Sequence, residues 1–256
     1  MRSQDLDAAR QAPSLRHPLG TDELGRDLLA RLLYGGAISL ALGLLAAGVA
    51  VCVGVTYGAV SGYLGGRVDA VLMRLVDVLY ALPSVLLVML LTVSLGATLE
   101  HTGLLNAEWA RFVVLAAAIG CVSWLTVARV VRGQVLLLRE LPYVEAARAL
   151  GLPRSRILRV HILPNLLGPI VVFATLTAPQ AILQESFLSF LGIGVQPPQA
   201  TWGSLTADAI RGLSPYQVDW WRIVPPCAAL FATLTALNVI GDGLRERFDP
   251  RAPAAA

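Results

Sequence analysis

Long apolar runs alternate with short polar, arginine-bearing segments along most of the chain. Five apolar stretches, near residues 36–60, 78–95, 112–131, 166–188 and 223–240, come close to the roughly 20 residues that a helix needs to cross a bilayer. The first carries Gly43, Ala46, Ala47, Gly48, Gly54 and Gly58. Small residues let membrane helices approach closely, so this span is expected to be buried among the others. In the second, Asp77 reads as a helix-start carboxylate, favoured by the positive end of the helix dipole. Pro83 and Ser84 are expected to kink or break this helix near its cytoplasmic end, where they could line a gate. In the fourth, Glu185 is a carboxylate deep in an apolar run, and such a group faces a partner or a polar cavity. It reads as a helix-to-helix tie sharing hydrogen bonds with Gln184 and Ser186, or else as a pathway-lining group.

The longest polar interruption, residues 139–165, reads as a handle projecting from the membrane. Pro142 suits a first helical turn, where its missing N–H costs nothing. Tyr143, Ala146, Ala147 and Leu150 fall on one helical face by their spacing. Gly151 stands where a helix C-terminal glycine stands, and Pro153 blocks continuation. A second short helix is expected over residues 155–162, ending before Pro164. The handle carries Arg139, Arg148, Arg154, Arg156 and Arg159 against Glu140 and Glu145. By charge alone it is a basic loop lying on anionic headgroups.

Composition supports the same class. The 256 residues are 56% hydrophobic and 14% charged, with a mean hydropathy of +0.67; a soluble domain carries roughly 25% charged residues. All 20 basic residues are arginine. Their placement orients the chain. Beyond the charge-balanced N-terminal segment, 12 lie on the handle's side of the membrane and 3 on the other. The handle is therefore cytoplasmic, and with five spans the N-terminus lies outside. Residues 1–35 form a polar segment in which residues 22–34 are expected to make an amphipathic helix, capped by Thr21 or Asp22. Cys52, Cys121 and Cys227 have no metal-ligand spacing and read as buried small apolar residues. The histidines (His17, His101, His161) lie far apart in sequence, and no phosphate-binding loop is present. Nothing points to nucleic acid.

The handle residues Glu145-Ala146-Ala147, then Gly151, then Ile162-Leu163-Pro164 resemble the Glu-Ala-Ala loop of ATP-binding cassette importer permeases. The run from His161 to Asn165 is similar to the peptide and nickel branch of that family. So are residues 17–40, residues 184–203 with Leu188-Ser189-Phe190-Leu191-Gly192, Gln196-Pro197-Pro198 and Trp202-Gly203, and the ending from Asn238 to Arg251. Together these extend over residues 17–251. The resemblance implies an all-α, polytopic membrane protein of about five transmembrane helices with a cytoplasmic coupling-helix loop. It also implies a helix upstream of the first span that this chain lacks, which would return the N-terminus to the cytoplasm. Residues 36–251 would be the permease domain, with the coupling loop at 139–165, an outer loop at 191–221 and a tail at 252–256. Trp202, Trp220 and Trp221 would anchor the outer face or meet a binding protein.

The resemblance further implies a non-catalytic permease subunit in the inner membrane of a prokaryote, carrying peptides or nickel chelates, with no cofactor. Its partners would be a second homologous permease, two cytoplasmic ATPase subunits, an extracytoplasmic solute-binding protein and the lipid bilayer. Coupling to the ATPases would fall to Tyr143, Glu145, Ala146, Ala147, Arg148, Gly151, Leu163 and Pro164; Glu185, Pro83 and Ser84 would line the pathway. Two other classes stay open at this point. A secondary transporter needs charged or broken-helix sites at mid-membrane, which Glu185 alone offers. An intramembrane hydrolase needs a nucleophile and base within the spans.

Overall fold

The computed structural model describes residues 5–102, 107–213 and 219–248. Their regular structure is helical, with one isolated bridge between Thr21 and Asp27. In chain order come α1 (Leu28–Leu64), α2 (Gly66–Tyr80), α3 (Ser84–Thr102), α4 (Ala107–Leu138), α5 (Pro142–Ala149), α6 (Arg154–Ile157), α7 (Leu167–Phe190), α8 (Trp202–Arg211) and α9 (Trp220–Phe248). α1, α4, α9 and the continuous run Arg154–Phe190 are each long and apolar enough to cross a membrane. α2 and the first part of α3, bent by 90°, are long and apolar enough to make a fifth only when taken together as one pair.

The five apolar stretches thus lie in four candidate spans and one bent helix pair, but three details differ from the sequence reading. The first span begins at Leu28, because Asp27 caps it by accepting from the Ala30 N–H at 2.8 Å. Residues 22–34 are therefore not one amphipathic helix: residues 21–27 form a turn held by the Asp22 carboxylate, which accepts from the Leu24 and Arg26 N–H groups at 2.9 Å each. The second stretch breaks after Tyr80, as Pro83 led us to expect, but the break leaves Asp77 in the last turn of α2. A carboxylate there opposes the dipole, and Arg129 of α4 compensates at 2.8 Å. The tail at 252–256, with Asp249, Pro250 and Arg251, lies outside the described residues.

α1 and α4 make the most extensive helix pair. Gly54, Gly58 and Gly62 recur every fourth residue on α1 and meet the backbone and valines of α4; a Cβ on Gly54 would stand 2.6 Å from Val127 Cβ. The small-residue stripe therefore does what membrane packing requires of it. α7 packs on α1, and α9 packs on α7. Apolar side chains gather in two clusters. One joins α1, α3, α4 and α7 around Leu42, Leu115, Ile119 and Leu188. The other joins α1 and α4 to the handle through Val131, Val135, Val144, Ile157 and Ile162. Cys52, Cys121 and Cys227 are exposed, contrary to expectation. The outer surface of a spanning helix is itself in an apolar medium, so a small apolar residue gains nothing by turning inward there.

At the end opposite the handle, the N-terminal segment is latched to the helix ends. Arg31, at the start of α1, donates to Asp22 at 2.6 Å. Arg222, in the first turn of α9, pairs with Glu23 at 3.0 Å. Trp202 is buried against Gly36, and its indole N–H donates to the Leu32 carbonyl at 2.9 Å. It is a packing residue and not an interfacial anchor, whereas Trp220 is exposed at the head of α9.

Candidate functional site

Two regions gather the residues singled out from the sequence. The first is the handle. α5 begins with Pro142 in its first turn and ends in a Schellman arrangement: the Leu152 N–H donates to the Ala147 carbonyl at 3.2 Å and the Gly151 N–H to the Arg148 carbonyl at 3.0 Å. Gly151 has φ of +76°, a conformation that favours glycine. The buried residues of α5 are Val144 and Ala147. Tyr143, Ala146 and Leu150, grouped with Ala147 by spacing, point outward, and Leu150 is 80% exposed. The i, i+3 pair Val144–Ala147 is the better apolar face because it alone reaches the cluster of Val131, Ile157 and Ile162. Glu145 and Arg148 are exposed as well.

After Pro153 the chain does not stop short of Pro164. α6 passes into a π turn (Leu158–Ile162) and a 3-10 turn (Leu163–Leu166) that runs straight into α7. The change of helical pitch puts Pro164 in the first turn of a new segment, where no N–H is needed of it. Leu163 is packed against the handle's apolar cluster, while Pro164 is exposed. Asn165 donates to the His161 carbonyl at 2.6 Å and to the Tyr143 hydroxyl at 3.3 Å, which ties α5 to the π turn. A cleft of about 500 Å³ separates the handle from the end of α1; Arg139, Arg148 and Arg154 line it with Glu140 and Glu145. The outcome is a packed platform whose outward surface includes Tyr143, Ala146 and Leu150.

The second region is a cavity of about 390 Å³ beside the α2–α3 break, walled by α4 and α7. Ser84 lines it; Pro83 and Glu185 do not. Tyr80, Ser123, Thr126, Thr177, Gln180 and Gln184 supply its polar lining. Glu185 is fully buried on another face of α7. Its Oε1 accepts from the Ser189 hydroxyl at 2.6 Å and from the Thr201 hydroxyl at 2.8 Å, and Oε2 is buried without a partner. The carboxylate is thus a helix-to-helix tie, as one reading of the sequence had it, but not through Gln184 or Ser186. Ser189 lies one turn further along the same face, and Thr201 is the N-cap of α8. Gln184 faces the cavity, and Ser186 donates to the Ile182 carbonyl at 2.9 Å.

Sequence reasoning missed the cavity's main polar residues. The signal available was Gln180 and Gln184, four residues apart in an apolar span. It also missed the bidentate pair that locks α2 to α4, in which Arg132 Nη2 donates to Asp69 Oδ2 at 2.6 Å. Among the described residues no His, Cys, Asp and Glu group could hold a metal ion; the side chain of His101 lies outside them.

A family model described as binding-protein-dependent transport system inner membrane component matches residues 54–252. The dipeptide transport system permease protein of Bacillus subtilis (strain 168) is 42% identical over 248 residues, which cover 97% of this chain and 73% of the relative. The oligopeptide transport system permease protein of Escherichia coli (strain K12) is 46% identical over 235 residues, 92% of this chain and 72% of the relative. An inward-facing structure of the MetNI methionine ABC transporter aligns with a TM-score of 0.66 at 16% identity, covering 87% of this chain and 98% of that one. At that identity it is the fold that is shared.

Proposed function

Since the chain belongs to the binding-protein-dependent transport system inner membrane component family, we propose that it forms half of a peptide pathway and is driven by ATPase subunits seated on α5. It is a multi-pass inner-membrane permease subunit of an ATP-binding cassette importer. The relatives named above are permeases of dipeptide and oligopeptide systems, which favours peptides over nickel chelates as cargo. The chain itself does no chemistry in this reading: two cytoplasmic ATPases supply the energy, a second permease completes the pathway, and an extracytoplasmic binding protein delivers the substrate. The secondary-transporter alternative finds no support, because Glu185 is enclosed between Ser189 and Thr201.

The observation that carries the coupling role is the two-sided character of α5. Val144 and Ala147 fasten it to the transmembrane bundle, Glu145 and Arg148 line the cleft beside the end of α1, and Tyr143, Ala146 and Leu150 are left outward. Gly151 closes the turn after α5, and Leu163 and Pro164 sit in the 3-10 turn that leads into α7. A helix fixed on one side and open on the other transmits a push from a partner into α1 and α4. Coupling of this kind needs contacts that differ between the inward and outward states, and the open face of α5 is where they would form.

The test is purification of the tagged chain from its native membrane in mild detergent, with the copurifying subunits identified by mass. A second permease and ATPase subunits are expected with the wild-type chain. Leu150→Asp, at an exposed position, is expected to lose the ATPases and abolish uptake with an unchanged thermal midpoint. Val144→Asp, which buries an unpaired charge, is expected to lower that midpoint. Recovery of ATPases with Leu150→Asp at the wild-type level, together with normal uptake, would count against docking on α5.

A further inference from the structure

We infer that the cavity beside the α2–α3 break binds the backbone of the transported peptide, through neutral amides and hydroxyls, without regard to side-chain charge. The inference rests on the peptide-importer reading and goes further, naming a binding site and what it reads. Gln180 and Gln184 lie on one face of α7, four residues apart, and both line the cavity. Neither side chain has a hydrogen-bond partner among the described residues. A glutamine amide inside a membrane span with no internal partner is costly unless it faces water or a polar ligand. Ser123 and Thr126 on α4 and Tyr80 at the end of α2 line the same cavity. The Ser123 hydroxyl donates to the Ile119 carbonyl at 2.9 Å, which leaves its oxygen able to accept.

The chemistry of this set is distinctive. Every amide and hydroxyl in it can both donate and accept. Each peptide unit likewise presents one N–H and one C=O. A carboxylate lining would only accept and a guanidinium would only donate, so either would discriminate among cargoes. Among the described residues none that lines the cavity is charged. Arg129, whose guanidinium lies 4.0 Å from the centre of the Tyr80 ring, is already paired with Asp77 at 2.8 Å. The volume, about 390 Å³, is within the range of small-ligand pockets. Weak, sequence-blind hydrogen bonds also suit a pathway, where cargo has to leave as readily as it arrives.

The experiment measures uptake of three labelled peptides (Ala-Ala-Ala, Ala-Glu-Ala and Ala-Lys-Ala) by cells lacking other peptide uptake systems. The variants are the pair Gln180→Leu with Gln184→Leu and the pair Gln180→Glu with Gln184→Glu; each is checked for membrane recovery together with its ATPase partners. The leucine pair is expected to reduce uptake of all three peptides about tenfold, the effect of losing roughly one net hydrogen bond. The glutamate pair is expected to reduce Ala-Glu-Ala uptake, relative to wild type, about tenfold more than Ala-Lys-Ala uptake. If the glutamate pair is not recovered in the membrane, Gln180→Glu alone, at the more exposed position, carries the same comparison. Unchanged uptake in the leucine pair, or an equal effect of the introduced glutamates on the acidic and basic peptides, would overturn the inference and leave the importer reading intact. Failure of the wild-type chain to support uptake of any of the three would overturn the peptide reading and this inference with it.

Discussion

Glu185 carries the sharpest local demand in the molecule. Its Oε1 is the acceptor for two hydroxyls, one on its own helix and one at the cap of α8. Removing it leaves both hydroxyls buried with a donor to satisfy. Glu185→Ala is therefore expected to destabilise the protein by about 1–3 kcal/mol, read as a lower thermal midpoint in detergent. Glu185→Gln keeps a carbonyl oxygen for the same two donors and is expected to lose less. Equal losses in the two variants would show that a neutral acceptor of the same volume does not replace the carboxylate, and would count against the acceptor role. The neighbouring Ser189 and Thr201 were visible in the sequence, but their convergence on one oxygen required the chain to fold back through Gly192, whose φ is +86°.

Close approach of backbones decides the element scale. α1 meets α4 along Gly54, Gly58 and Gly62, and a Cβ on Gly58 would run into the Ala128 carbonyl and stand 3.0 Å from Val131 Cβ. Gly48 lies on the same helix with nothing within 4 Å of its Cβ position. Gly58→Leu is expected to cost about 1–3 kcal/mol or more through overpacking, with loss of monodisperse protein on size-exclusion chromatography. Gly48→Leu is expected to be tolerated. Comparable behaviour of the two would mean that the α1–α4 seam is looser than its geometry. The same scale explains the handle. A π turn and a 3-10 turn absorb the proline that sequence reasoning took for a stop, so a movement of α5 and α6 has a continuous helical route into α7.

Across the whole molecule, two ends are braced differently. The handle's end is fastened by apolar packing and by the Asp69–Arg132 pair. The opposite end is fastened by ion pairs between the N-terminal segment and the heads of α1 and α9: Asp22 with Arg26 and Arg31, and Glu23 with Arg222. Burial alone would raise the Asp22 carboxyl, but the N–H and guanidinium of Arg26 and the charge of Arg31 outweigh it and hold the group below its ordinary 3.8. A depressed carboxyl stabilises the fold fully above its unfolded value, near pH 4, and the stabilisation disappears as pH falls through the lower folded value. The difference in thermal midpoint between wild type and Asp22→Asn is therefore expected to be constant above about pH 4 and to shrink below it. A difference that stays the same down to pH 3 would mean that the carboxylate does not brace this end.

Local sequence features established the all-α membrane class, the approximate spans, the break before Pro83 and the short helix Pro142–Ala149 closed by Gly151. These rest on local properties: run length and the chemistry of proline and glycine. What the tertiary structure alone decided is which face each residue shows. Spacing grouped Tyr143, Ala146, Ala147 and Leu150, but only packing against Val131 and Ile162 turned Val144 and Ala147 inward and left the others free. Asp77 stands at a helix end and not a helix start because the helix before the break begins upstream at Gly66, where Asp69 and Asp77 pair with Arg132 and Arg129 of α4. Glu185 faces away from the cavity and Gln180 and Gln184 face into it, because the rotation of α7 about its axis depends on α1 and α9 packed behind it. A one-dimensional pattern says that a helix has an apolar and a polar side; in a membrane, where lipid and protein interior are equally apolar, only the neighbouring helices say which side is which.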